Sequence, residues 1–279
     1  MNLSGYFSIT RPVNAFVSGL AAVIGYLVAT GTIVPASLVL VPVVFCITAA
    51  GNVINDYYDA DIDAINRPER PIPSGALSRN AAWSFALILF LVGILLALDT
   101  GPICIAIVTI NSLLLIAYAA RLKSMPFIGN VAVSYLSGSI FLFGGAFAGF
   151  SGLVENIPLA AITFLAMLAR ELLKDAEDVE GDAACGALTL PMQIGIQGTA
   201  RLALDCCLFA VGASLFPVLR WGPWYLAGIA VVDCIILAAS LRALPCTTPA
   251  CIKAKGSTTL LKAGFFLSLL VFSAAAFLL

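Results

Sequence analysis

Histidine is absent from this 279-residue chain, and charge of either sign is scarce, with only 10% of residues Asp, Glu, Lys or Arg. The first absence removes histidine general bases and the usual His-ligated zinc or iron sites. The second excludes an ordinary soluble globule, in which about a quarter of the residues are charged. The net charge of −1 gives no basic excess for binding nucleic acid, and no such partner is expected. The opening MNLSGYFSITRP has neither a charged leader region nor a cleavage site, so it reads as mature sequence and not as a signal peptide.

What the chain has in quantity is apolar length. Hydrophobic residues make up 61%. Nine apolar segments stand out, at 9–30, 36–57, 80–98, 102–120, 128–150, 157–177, 199–218, 222–243 and 258–278. A membrane span needs about 20 such residues. Lipid cannot satisfy backbone N–H and C=O groups, so spans of this kind must be helices. Breaks fall at Gly101-Pro102, Gly152 to Pro158 and Gly222-Pro223, and Trp221, Trp224 and Tyr225 suggest an interfacial aromatic cluster. Of the eight cysteines, Cys46, Cys104, Cys185, Cys206, Cys207 and Cys234 read mostly as small hydrophobes. Cys246 and Cys251 could pair or bind a metal, but no second Cys or His pair accompanies them. Gly145 and Gly149 read as small-residue helix packing. Asp205 and Asp233 fall within apolar segments and are expected to make buried structural hydrogen bonds.

Charge is distributed unevenly along this pattern. If nine spans alternate across the membrane, all of the 14 Lys and Arg residues except Arg220 fall on or near the side of the N-terminus. Positive charge marks the cytoplasmic side. The protein is therefore expected to be a multi-pass cell-membrane protein whose functional face is cytoplasmic. Most of the 15 acids lie in two short stretches at cytoplasmic helix ends. Asp56, Asp59, Asp61, Asp63 and Glu69 form one. Glu171, Asp175, Glu177, Asp178, Glu180 and Asp182 form the other. Asp56, Asp59, Asp63 and Asp175, Asp178, Asp182 share the spacing D-x-x-D-x-x-x-D, a hint of internal repetition.

Residues spaced i, i+3, i+4 and i+7 share a helical face. Asn55, Asp59 and Asp63 can thus line one side with Asp56 adjacent, and Asp175, Asp178 and Asp182 another. Like charges on one face repel and are costly near a membrane unless a cation lies between them. Magnesium fits, because it takes oxygen ligands from a few carboxylates and substrate phosphates. Two such faces meeting would grip a diphosphate, and a metal-bound diphosphate is a better leaving group. A solvated acidic loop explains the charge but not the repeated spacing. Arg67, Arg70, Tyr118, Arg121, Lys123, Arg170 and Lys174 border these segments. They are candidates for holding the diphosphate or an anionic acceptor, although such charges can also simply set topology. Asn111 is a further polar candidate for the substrate cavity, or else bonds a neighbouring helix.

These motifs resemble those of the UbiA superfamily of intramembrane prenyltransferases. N-D-x-x-D-x-x-x-D is matched by Asn55, Asp56, Asp59 and Asp63. D-x-x-D-x-x-x-D is matched by Asp175, Asp178 and Asp182. YxxxxK is matched from Tyr118 to Lys123, and the opening TRPVN also corresponds. The resemblance covers nearly the whole chain. It implies one all-α transmembrane domain over 1–279, with nine helices around a central cavity. It also implies Mg²⁺ held by Asn55, Asp59, Asp63, Asp178 and Asp182, with Asp56 and Asp175 close by, and Asp59, Asp63, Asp178 and Asp182 as the catalytic carboxylates. NDYYDADIDAINRPERPIPSG and RELLKDAEDVEGD look most like the archaeal members that join geranylgeranyl diphosphate to geranylgeranylglyceryl phosphate, a lipid acceptor. Aromatic acceptors of quinone, haem or chlorophyll synthesis are the alternative within the family. A transporter is the main reading outside it, but transport sites lie near the bilayer midplane. A membrane scaffold would leave the clustered acids unexplained.

Overall fold

The structure, a computed structural model, describes residues 3–184 and 186–278, and Cys185 lies outside the described residues. The described residues are mostly helical and contain no strand. Twelve α-helices follow one another: α1 (Leu3–Ile9), α2 (Pro12–Thr30), α3 (Leu40–Asn66), α4 (Arg79–Ala97), α5 (Pro102–Ala120), α6 (Ile128–Phe147), α7 (Phe150–Glu155), α8 (Ile157–Ala184), α9 (Leu190–Ser214), α10 (Val218–Ala243), α11 (Pro249–Lys255) and α12 (Ser257–Phe277). Each expected apolar segment corresponds to a long helix. Eight of the nine are long and apolar enough to cross a membrane. The ninth, α8, is long but carries Arg170, Glu171 and Lys174 ahead of its acidic run. The chain is a multi-pass membrane protein.

Local chemistry sets the helix ends. Proline stands in the first turn of α2, α5, α9 and α11, where its missing N–H costs nothing and its fixed φ suits the helix. The Ser78 and Thr248 hydroxyls accept from the N–H groups of Ala81 and Cys251, capping α4 and α11. Gly31 closes α2 in the left-handed conformation that glycine adopts without strain. α3 and α8 run past the apolar segments from which they were read, to Asn66 and Ala184. Both acidic stretches are therefore helical almost throughout.

The chain divides into two compact units. The first holds residues 1–122 and 142–154. At its centre α3 packs against α2, α4 and α5. Close approach rests on glycine. A β-carbon at Gly19 would lie 2.9 Å from the Val41 carbonyl oxygen, and one at Gly144 would collide with the Ala22 carbonyl. Gly149 is not a packing glycine. Its φ of 107° places it in the turn after α6, with open space around it, so Gly144 takes the packing role expected there.

The second unit holds residues 123–141 and 155–279, with α8 packed on α9 and α10 on α12. Trp221 and Tyr225 are buried against Phe272. Of the expected interfacial cluster, only Trp224 is exposed. Gly222, at φ 67°, breaks α10 ahead of Pro223 and turns Trp221 inward. Asp233 is buried and accepts from Ser214, as expected. Asp205 is exposed instead. Cys246 and Cys251 form a disulfide, because the short turn from α10 into α11 brings their Cα atoms to 5.4 Å.

Gly144→Ala should lower the thermal unfolding temperature of detergent-purified protein. Overpacking of this kind costs about 1–3 kcal/mol. An unchanged unfolding temperature would contradict the close approach of α6 to α2.

Candidate active site

At the end of α3 the acids separate into two groups. Asn55 donates from Nδ2 to Oδ2 of Asp59 at 2.8 Å, one helical turn on. Asp56 and Asp63 are buried, at 4% and 6% exposure, and arginine neutralises both. Arg11 Nη2 donates to Asp56 Oδ1 at 2.6 Å, while Arg70 Nη1 lies 3.3 Å from the same oxygen and 2.5 Å from Asp63 Oδ2. Asp56 and Asp63 are seven residues apart on one face, so a single guanidinium spans them. The sequence pattern places Asp63 with Asn55 and Asp59. In the structure it shares Arg70 with Asp56.

The residues carrying these arginines are fixed in turn. Arg11 has φ 49° and ψ 61°, a left-handed conformation uncommon outside glycine, and it precedes Pro12. Asn52 donates from Nδ2 to the Thr10 carbonyl at 2.9 Å and holds this turn against α3. Arg70 follows α3 in a turn closed by its N–H to the Arg67 carbonyl. Arg67 is exposed. Asp61 faces outward to Arg79, whose guanidinium also covers the Tyr57 ring.

The acidic end of α8 has its own arrangement. Asp175 accepts from Asn130 Nδ2 of α6 at 2.8 Å. Glu171 is buried and pairs with Arg170 at 2.5 Å and Lys174 at 3.9 Å. Glu177 accepts from the Thr258 hydroxyl of α12 at 2.9 Å. Asp178 is exposed, and Asp182, one turn on, is half-buried. Burial holds the Asp182 carboxyl above the usual carboxylate range. The Asp178 charge adds to that, and Lys174 opposes it. Asn55 with Asp59, and Asp178 with Asp182, are i, i+4 pairs of oxygen-bearing side chains, the donor type that a hard divalent cation prefers. Within each unit, among the described residues, no three acids or cysteines gather closely enough to hold a metal by themselves.

The other expected site residues lie on α5 and just after it. Tyr118 and Asn111 are half-exposed on α5, with Asn111 near its middle. Arg121 ends α5, and Lys123 lies in the short 3-10 turn Leu122–Ser124. Sequence reading missed Arg11, Asn130 and Thr258. Arg11 was visible in the TRPVN run but absorbed into the topology count. Asn130 and Thr258 lie far along the chain from the acids they contact, and no spacing rule could link them.

All-helical, multi-pass architecture with an Asp-rich end on each of two long helices defines the class, and the chain belongs to the UbiA prenyltransferase family, whose model matches residues 17–270. The curated digeranylgeranylglyceryl phosphate synthase of Methanoregula boonei is 61% identical over 276 residues, covering 99% of each chain. A solved structure concerned with digeranylgeranylglyceryl phosphate synthase in membranes superposes with a TM-score of 0.87 at 34% identity, covering 100% of this chain and 99% of the other. A UbiA homologue from Archaeoglobus fulgidus, bound to GPP and Mg²⁺, shares the fold at a TM-score of 0.68 and 16% identity, with coverage of 94% and 99%.

Arg70→Ala should destabilise the protein by about 3 kcal/mol or more, because it strands two buried carboxylates. Adding Asp56→Asn and Asp63→Asn to that variant should restore much of the loss in a thermal unfolding assay. Arg11→Ala should cost less, since the Arg11 side chain is 37% exposed against 17% for Arg70.

Proposed function

We infer that the chain transfers a geranylgeranyl group from geranylgeranyl diphosphate to geranylgeranylglyceryl phosphate, forming the second ether bond of an archaeal membrane lipid. The observation that carries this reading is the 61% identity, over 99% of both chains, to a relative of that activity. In the reaction the allylic C–O bond to diphosphate breaks, and the free glycerol hydroxyl oxygen bonds to the allylic carbon. The hydroxyl proton is released and pyrophosphate leaves.

The cofactor proposed for this chain is magnesium, which would neutralise charge developing on the departing diphosphate. Ligands for it are proposed at each acidic helix end: Asn55 and Asp59 on α3, joined by Asp63 through Oδ1, the oxygen not engaged by Arg70, and Asp178 and Asp182 on α8. The oxygen-only donor set supports this choice. Asp56 anchors Arg11 and Arg70, and Asp175 is held by Asn130. The proposed roles of Arg67, Lys123 and Lys174 are to bind the anionic head of the donor or acceptor, and Tyr118, Arg121 and Arg170 are proposed for the same task. We place both acidic helix ends at the cytoplasmic face of the cell membrane, working as one catalytic domain. The one-sided distribution of Lys and Arg supports that orientation.

A product assay tests the reading. Purified protein receives geranylgeranyl diphosphate and magnesium, with geranylgeranylglyceryl phosphate and a hydroxybenzoate-type acid offered in parallel. A magnesium-dependent diether phosphate is the expected product, and prenylation of the aromatic acid alone would overturn the acceptor assignment. Asp59→Asn and Asp178→Asn should each reduce turnover by about a hundredfold or more with the fold intact by circular dichroism. Protons compete with metal at a carboxylate of raised pKa. At limiting magnesium, activity should therefore fall more steeply with decreasing pH than at saturating magnesium.

A further inference from the structure

α9 carries a stripe of the wrong chemistry for lipid. Gln197, Arg201, Asp205, Leu208 and Gly212 are all exposed. Their spacing of four, four, three and four residues places them on one helical face. The opposite face is the packed one. There Cys207 meets Ser240 of α10, and Ser214 donates to Asp233. The exposed stripe therefore points away from the body of its unit. Helical continuity after the break at Gly195 puts Asp205 about midway to Ser214, about 14 Å from either end at 1.5 Å per residue. In a bilayer whose hydrocarbon core is about 30 Å thick, that is near the midplane. Neither Arg201 nor Asp205 has a hydrogen-bond or ion-pair partner among the described residues. Ionisable groups at this depth are costly unless paired, and they face protein in preference to lipid.

We propose that this α9 face is a contact between two copies of the chain in the membrane, with Arg201 of each copy paired to Asp205 of the other. Both copies share one membrane orientation, so a two-fold axis along the bilayer normal makes their α9 helices parallel. Arg201 and Asp205 are one turn apart in depth, and an arginine side chain readily reaches that distance along its own helix direction. The two-fold then forms the pair twice, which is self-complementary charge. Gly212 has open space where a side chain would stand, so it lets the backbones approach further along. Leu208 fills the seam between the charged and small positions.

The test uses the full-length protein, fluorescently labelled and reconstituted into vesicles over a lipid-dilution series, with energy transfer between copies as the readout. Wild type should associate reversibly. Asp205→Leu and Arg201→Leu should each weaken association by about tenfold while prenyl transfer persists as the check on folding. The double exchange Arg201→Asp with Asp205→Arg should restore association, because the pair survives with its signs reversed. Leu208→Cys should form an oxidative cross-link between copies. The proposal is overturned if wild type stays monomeric across the series, if Asp205→Leu associates as tightly as wild type, or if Leu208→Cys fails to cross-link an associated protein.

Discussion

Carboxylates gathered at a helix end beside lipid repel one another, and each needs a positive partner. Arg70 meets that requirement for the first acidic helix. Its guanidinium spans Asp56 and Asp63, both buried, and Arg11 adds a second contact to Asp56. The left-handed turn at Arg11, the Asn52 bond to the Thr10 carbonyl and the turn that follows α3 all serve to hold these two arginines in place. Beside Asp56 on the same helix, the Asn55 amide donates to Asp59 one turn on.

The second acidic helix solves the same problem with different partners. Glu171 takes Arg170 and Lys174, and Asp175 takes the Asn130 amide. Glu177 takes the Thr258 hydroxyl. Asp178 and Asp182, one turn apart, are left without such a partner among the described residues, as is the exposed Glu180. At both helix ends, buried and half-buried acids are thus engaged by arginine, amide or hydroxyl partners of the fold itself.

The nine apolar segments were legible because lipid imposes helix on any long apolar run, and their positions differ from the observed helices mainly at the ends. The extension of α3 to Asn66 and α8 to Ala184 was legible only from the helical spacing of the acids, because those residues are polar and fall outside the apolar segments. The two Asp motifs were visible from i, i+4 and i+7 spacing. Spacing assigns residues to a face but not to partners, so it grouped Asp63 with Asp59 and missed that Arg70 joins Asp63 to Asp56. Asn130 was silent for the same reason, and Trp221 and Tyr225 were read as interfacial because composition cannot see the Gly222 break that turns Trp221 inward.

The proposed division of labour, Asp56 to structure and Asp59 to metal, is the central claim, and metal binding tests it most directly. Manganese serves as a paramagnetic probe for magnesium, and its binding is followed by electron paramagnetic resonance in the presence of an unreactive geranylgeranyl thiodiphosphate. Asp59→Asn should lose the bound-manganese signal while keeping its unfolding temperature. Asp56→Asn should keep the signal and unfold at a lower temperature. Loss of the signal in Asp56→Asn at unchanged stability, with Asp59→Asn binding normally, would contradict the account.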